Sequence, residues 1–270
     1  QWIKNVLVFA PLFFANEFFN IQNLYQTTLL FLSFSSLASS IYIVNDIVDR
    51  KNDRLHPQKC HRPIASGAMN ISTGSVIIGI LLFTTILLSR HFNSATLSIL
   101  VTYFVLNITY SVVLKHIAIV EIFLVAFMYL FRIMAGGALL NIFISQWLIL
   151  VTFFLALFLI VGKRRAELKA VNKSTKTRTV LSAYPDSFLD HILTVVVTGV
   201  IVSYSLYAIE AQKPYLLYSS FFVFFGMFRY LYNIHKFEAG ETPEKILFRD
   251  PWILCTVTIW LCYMFFVFYI

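Results

Sequence analysis

The sequence predicts an all-α fold: a polytopic membrane protein, a single bundle of nine transmembrane helices with polar loops capping one mouth. Three observations lead there. Hydrophobic residues make up 59% of the 270 and charged residues only 13%, where soluble domains carry about a quarter charged. Long apolar runs recur from one end of the chain to the other. Lys and Arg fall almost entirely in alternate connections between those runs. The mean hydropathy of +0.78 excludes a soluble domain, and no nucleic-acid partner is expected.

The run 6–15, after Trp2 and Lys4, is too short to span alone and reads as the visible part of a first helix whose beginning is missing. The second run, 24–44, ends abruptly at Asn45 and a cluster of acids. Runs at 75–89, 95–114, 117–139 and 147–161 give helices three to six, and 188–209, 214–234 and 252–270 complete the nine. Several reach the ~20 residues that cross a hydrocarbon core, and the shorter ones are tilted or extended by flanking residues. Polar connections at 45–72, 163–187 and 235–251 are long enough to fold over a bundle mouth. No Pro/Gly-rich linker or low-complexity tract interrupts the pattern, so residues 1–270 read as one membrane domain.

Connections after the second, fourth, sixth and eighth helices hold sixteen Lys and Arg, and the opposite loops hold only Arg90 and Lys213. The positive-inside rule places the sixteen in the cytoplasm. Cys60, Cys255 and Cys262 show no metal-ligand spacing, and no disulfide is assigned.

The chemistry concentrates in Asn45-Asp46-Ile47-Val48-Asp49-Arg50-Lys51-Asn52-Asp53. Spacings of three and four put Asp46, Asp49 and Asp53 on one helix face, where like charges repel unless a cation sits among them. Hard oxygen ligands suit Mg²⁺, which is held by one or two carboxylates and completed by water and substrate phosphates. A solvated helix end is the plainer alternative. Arg54, His56-Pro57, Lys59 and Arg62-Pro63-Ile64-Ala65-Ser66-Gly67 follow, so carboxylates for a cation are trailed by cations for phosphate. Without the acids, such basic residues would mark topology alone.

A second cytoplasmic stretch holds Tyr110, Lys115-His116 and Glu121, followed on the next helix by Tyr129, Arg132 and Gly136-Gly137. Arg132 lies deep in an apolar run, at a cost of ~2.5 kcal/mol or more, and should face a polar cavity or a partner. Glu121 is eleven residues away, about 16 Å up the helix, too far for a direct pair. Arg229 poses the same question more weakly, being six residues from the polar end at His235.

Asn-Asp-x-x-Asp-x-x-x-Asp closing the second helix, with Arg-Pro-x-x-Ser-Gly beyond it, resembles the UbiA superfamily of intramembrane prenyltransferases, whose helix count is nine. The resemblance covers nearly the whole chain. Aromatic prenyltransferases of that family carry a second Asp-rich motif after helix four, where this chain has Lys115-His116 and a single Glu121. That departure looks like the decaprenyl-phosphate phosphoribosyltransferase branch, as do Lys4-Asn5, the Tyr129–Gly137 stretch, Gly162-Lys163-Arg164-Arg165-Ala166-Glu167-Leu168 and Ala239-Gly240-Glu241.

The resemblance implies transfer of 5-phosphoribose from phosphoribosyl pyrophosphate to a polyprenyl phosphate in a bacterial plasma membrane, on its cytoplasmic side, for cell-wall arabinan. Mg²⁺ would rest on Asp46, Asp49 and Asp53, with Asn45 orienting the donor. Lys59, Arg62, Lys115, Lys163, Arg164 and Arg165 are candidates for the two substrates' phosphates, undivided between them. Lys4, Arg54, Tyr110 and Glu121 join the substrate-binding candidates, and Tyr129 and Arg132 would line the polar cavity. A homo-oligomer is left open. Two alternatives stand: a prenyltransferase using a prenyl diphosphate and an aromatic acceptor, and an anion transporter. The transporter is disfavoured by the lack of a Gly/Pro-broken helix pair at matching places in two halves.

Overall fold

The structure, a computed structural model, describes residues 2–55, 59–171, 184–185, 187–236 and 249–270. His56-Pro57, most of the 163–187 and 235–251 connections, and Ala239-Gly240-Glu241 lie outside them. Among the described residues every regular element is helical, and each of the nine apolar runs falls on a helix. These are α1 (Trp2–Phe14, with 3₁₀ geometry over Trp2–Phe9), α2 (Ile21–Arg54), α3 (Ile71–Ser89), α4 (Ser94–Val112), α5 (Val120–Leu140), α6 (Gln146–Val171), α7 (Phe188–Glu210), α8 (Ser220–Lys236) and α9 (Pro251–Tyr269). Seven of them, α2 to α7 and α9, are long and apolar enough to cross a membrane. Of the other two, α1 is short as its run implied, and α8 falls just below the length of a full crossing, with 17 residues ending in Asn233, His235 and Lys236.

Helix starts follow local chemistry. Asn20 caps α2 by accepting from the Gln22 and Asn23 amides, and Asn93 caps α4 through the Thr96 amide. Asp250 caps α9 at the Trp252 and Ile253 amides, ahead of Pro251 in the first turn. Helix α2, 34 residues and so about 51 Å long, exceeds the ~30 Å hydrocarbon core, so it tilts or carries an end beyond it.

The described chain forms two compact units: Gln1–Ile117 with Met128–Phe143, and Ala118–Phe127 with Ile144–Ile270. In the first, Leu30, Phe34, Leu37 and Ile41 of α2 meet Leu100 and Tyr103 of α4 and Ala135 and Leu139 of α5 in one buried cluster. The Phe34 and Tyr103 rings meet edge-on with centroids 5.2 Å apart. Gly136 lets α5 approach the α1 backbone, since a Cβ there would lie 2.2 Å from the Val8 carbonyl oxygen. In the second unit α6 packs along α7, where Gly199 receives the Phe154 ring. Tyr204 of α7 shares hydrogen bonds with Ser219 (2.7 Å) and Trp260 Nε1 (2.9 Å) in its interior.

Candidate active site

The acidic cluster occupies the last turns of α2, where carboxylates oppose the helix dipole as well as one another. The fold answers with cations. Pro63 restricts Arg62 to an extended backbone (φ −62°, ψ 143°), one short helical turn follows over Pro63–Ser66, and Gly67 closes it in the left-handed region at φ 86°. The Arg54 Nε–H donates to the Ala65 carbonyl at 2.9 Å and ties this turn to α2. Arg62 is thereby aimed back at the helix. Its Nη1 lies 2.8 Å from both Asp46 Oδ1 and Asp53 Oδ2. Lys115, buried in the 3₁₀ turn Leu114–His116, pairs with Asp49. Asp46, Asp49, Asp53, Arg62 and Lys115 thus converge, while Arg54 is engaged by the Ala65 carbonyl. Asn45 adjoins them on α2, Lys59 begins the 3₁₀ turn Lys59–His61, and Tyr110 lies in the last turn of α4.

Among the described residues no three His, Cys, Asp or Glu side chains form a metal cage by themselves. Arg62 stands between two of the acids and Lys115 holds the third. Asp46 Oδ2, Asp49 Oδ2 and Asp53 Oδ1 nevertheless lie outside those ion pairs. Mg²⁺ draws most of its shell from water and phosphate, so this donor set fits a cation that arrives with a diphosphate. Among the described residues the buried Arg50 Nε–H has no hydrogen-bond acceptor.

A second polar group in the same unit surrounds Arg132, 3% exposed. Its Nε–H donates to Asn5 Oδ1 (2.8 Å), an Nη2–H to the Tyr103 hydroxyl (3.0 Å), and an Nη1–H to the Met128 carbonyl. The guanidinium lies 5.1 Å from the Tyr103 ring centroid and 5.6 Å from that of Tyr129, and Lys4 Nζ is 6.0 Å from the Tyr129 ring. Asn5 is held in turn by Ser35. No carboxylate reaches Arg132 among the described residues, so its charge is supported by dipoles and π faces alone.

The remaining candidates belong to the second unit. Glu121 is fully buried and lies 2.7 Å from Arg164 Nε, and Arg164 also pairs with Glu167. Ile119, two residues earlier, holds a strained φ of 67° and donates its N–H to the Tyr184 hydroxyl. Arg165 is tied to Asp190, to the Ile234 carbonyl (3.1 Å) and to His235 Nδ1 (2.9 Å). Lys163 is exposed. The Lys163–Arg165 run therefore splits, with Arg164 and Arg165 committed to protein acids. Sequence reasoning missed Asn5, Tyr103 and Asp190 as partners. Asn5, at the edge of the 6–15 run, and Tyr103 carried no signal of their partners.

A model of the UbiA prenyltransferase family matches residues 6–250. The decaprenyl-phosphate phosphoribosyltransferase of Mycobacterium tuberculosis is 33% identical over 273 residues, covering 97% of this chain and 89% of the relative. Its counterpart in Corynebacterium glutamicum is 31% identical, with 95% and 83% covered. In fold, a UbiA homologue from Archaeoglobus fulgidus, solved bound to DMAPP and Mg²⁺, matches with a TM-score of 0.72 at 17% identity over 99% of each chain. The matched family model, the near-full-length relatives and the Asp-rich helix end agree: this chain belongs to the UbiA prenyltransferase family.

Proposed function

We propose that this multi-pass membrane protein transfers 5-phosphoribose from phosphoribosyl pyrophosphate to a polyprenyl phosphate, releasing diphosphate, with residues 1–270 acting as one membrane domain. The observation that carries the reading is the near-full-length similarity to relatives named for that reaction. The site supports it, because it pairs each acid with a cation instead of presenting bare carboxylates. A ribose bearing a 1-diphosphate and a 5-phosphate, set beside a lipid phosphate, asks for more cations than a prenyl diphosphate does.

In this reading a phosphate oxygen of the lipid bonds to the anomeric carbon while the bond from that carbon to the diphosphate breaks, the electron pair leaving with diphosphate. Attack opposite an α-linked leaving group gives a β-linked product. A phosphate monoester is already nucleophilic, so no strong general base is needed. Asp46, Asp49 and Asp53, with Asn45 alongside, would hold Mg²⁺, which supplies charge neutralisation of the leaving group. Arg62 and Lys115 hold the carboxylates apart before the donor arrives and are placed to turn toward its phosphates. Arg132, with Tyr103 and Tyr129, offers an uncancelled positive charge to a second phosphate. The active site would face the cytoplasm of a bacterial plasma membrane, where phosphoribosyl pyrophosphate is found, and the product would serve arabinan synthesis.

Ribose-labelled phosphoribosyl pyrophosphate should place label in a lipid extract only when polyprenyl phosphate is present. Prenyl transfer from a prenyl diphosphate to an aromatic acid, with no ribose in lipid, would overturn the reading in favour of the other activity of the family.

A further inference from the structure

Arg229, the second cation within an apolar run, takes no part in the site above. Its Nε–H donates to Asp250 Oδ2 at 2.8 Å, and Asn233 Nδ2 donates to the same oxygen at 2.6 Å. Both Nη groups lie outside these contacts, and the side chain is 31% exposed. They border a groove of about 530 Å³ lined by Phe225, Phe228, Arg229 and Trp252, whose aromatic rings are all exposed. The guanidinium lies 5.3 Å from the Tyr232 ring centroid, and Lys236 Nζ lies 5.1 Å from it and 2.7 Å from the hydroxyl. Arg249, next to Asp250, is exposed at the same end of α9. The groove is apolar along its length and cationic at one end, the end that the distribution of basic residues assigns to the cytoplasm.

We propose that this groove between α8 and α9 is a site for an anionic glycerophospholipid. The phosphate diester would rest on the Arg229 fork with Lys236 and Arg249 beside it, and an acyl chain would lie along Phe225, Phe228 and Trp252. Charge complementarity selects the headgroup: a zwitterionic lipid brings an ammonium group back toward three cations, whereas phosphatidylglycerol brings none. Planar Arg on a phosphate, flanked by aromatic rings, suits this occupant better than a detached anion, which would leave the apolar part of the groove unfilled. Nothing in this proposal depends on the transferase reading.

The test uses the full chain in nanodiscs containing equal phosphatidylglycerol and phosphatidylcholine of matched acyl chains, extracted into detergent, with retained lipid counted by native mass spectrometry. Wild type should retain phosphatidylglycerol preferentially. The preference should fall about fivefold for each cation lost in Lys236→Gln and Arg249→Gln. Arg229→Lys keeps an ammonium for Asp250 but loses the fork, and should lower the preference as well. Equal retention of the two lipids by wild type, or a preference unchanged in all three variants, would overturn the proposal. Inorganic phosphate reproducing the thermal stabilisation given by phosphatidylglycerol would make this a free-phosphate site and overturn it too. So would stoichiometric displacement of phosphatidylglycerol by polyprenyl phosphate, which would make the groove a second acceptor site.

Discussion

Replacing Arg62 by Gln tests whether the acidic cluster is a place built for exchangeable positive charge. Wild-type Arg62 makes two charge-assisted contacts of 2.8 Å, to Asp46 and to Asp53, and the Asp53 side chain is only 5% exposed. Contacts of this kind are worth about 1.5–3 kcal/mol each when sheltered. Arg62 itself is 36% exposed, so water screens the pairs and the lower end applies. The variant also leaves a buried carboxylate beside a second one with no intervening cation. A net loss of about 2–3 kcal/mol is expected, a few degrees in the unfolding midpoint for a chain of this size.

The cation dependence is the sharper readout. In detergent with EDTA the variant should unfold several degrees below wild type, and Mg²⁺ should recover more of that loss in the variant than it adds to wild type, since it enters a place the guanidinium has vacated. The companion Arg62→Lys keeps the charge but loses the fork, and should raise the apparent donor KM about tenfold with expression intact. Unfolding of Arg62→Gln at the wild-type midpoint, with no differential response to Mg²⁺, would refute the reasoning.

Asp49→Ala should abolish turnover while the protein still elutes as a single species, and EDTA should do so reversibly; full activity in the variant would remove the metal role from this residue. Glu121→Gln removes one of the two acids paired with the buried Arg164 and should lower the thermal unfolding midpoint; a variant as stable as wild type would contradict the pairing. Gly136→Ala should lose most folded protein in size-exclusion profiles, because its Cβ meets a backbone oxygen, whereas Gly79→Ala, with nothing within 4 Å, should be silent. Burial pushes the Asp250 carboxyl up, but hydrogen bonds from Asn233, Arg229 and the Ile253 and Trp252 amides outweigh it and hold the pKa below the ordinary range. A depressed carboxylate stabilises fully at neutral pH and loses that contribution as pH falls through about 4 and below, so acid titration should destabilise wild type more than Asp250→Asn.

Helix positions were legible from the apolar runs themselves, and three helices start at side-chain caps that the runs alone did not reveal, Asn20, Asn93 and Asp250. The acidic face was legible from its spacing, and Arg62 from its place in the basic stretch that follows the acids, although the turn that aims it was not. Partner choice was not legible. Asp49 meets Lys115 across 66 residues and Arg132 meets Asn5 across 127, and no local pattern encodes pairings of that separation. The expectation of nine spans came from counting runs, which cannot distinguish the 17-residue, polar-ended α8 from a full crossing.

Charge accounting separates basic residues that look alike in sequence. Arg164 faces Glu121 and Glu167, and Arg165 faces Asp190, so each carries its neutraliser, and recruiting either to a phosphate would strand a protein acid. Arg132 is as deeply buried, yet its partners are an amide, a hydroxyl, a carbonyl and aromatic rings, none of which cancels its charge. Burying a cation among neutral dipoles costs energy that an arriving anion would return, whereas a buried cation already paired gains little from a second anion unless a metal ion takes over its acid. Of these three arginines, Arg132 is therefore the one whose charge no described carboxylate cancels. It follows that Arg132→Lys should weaken substrate binding more than Arg165→Lys does, although both residues are buried. Equal effects on donor and acceptor KM in the two variants would show that burial, and not uncancelled charge, sets their roles.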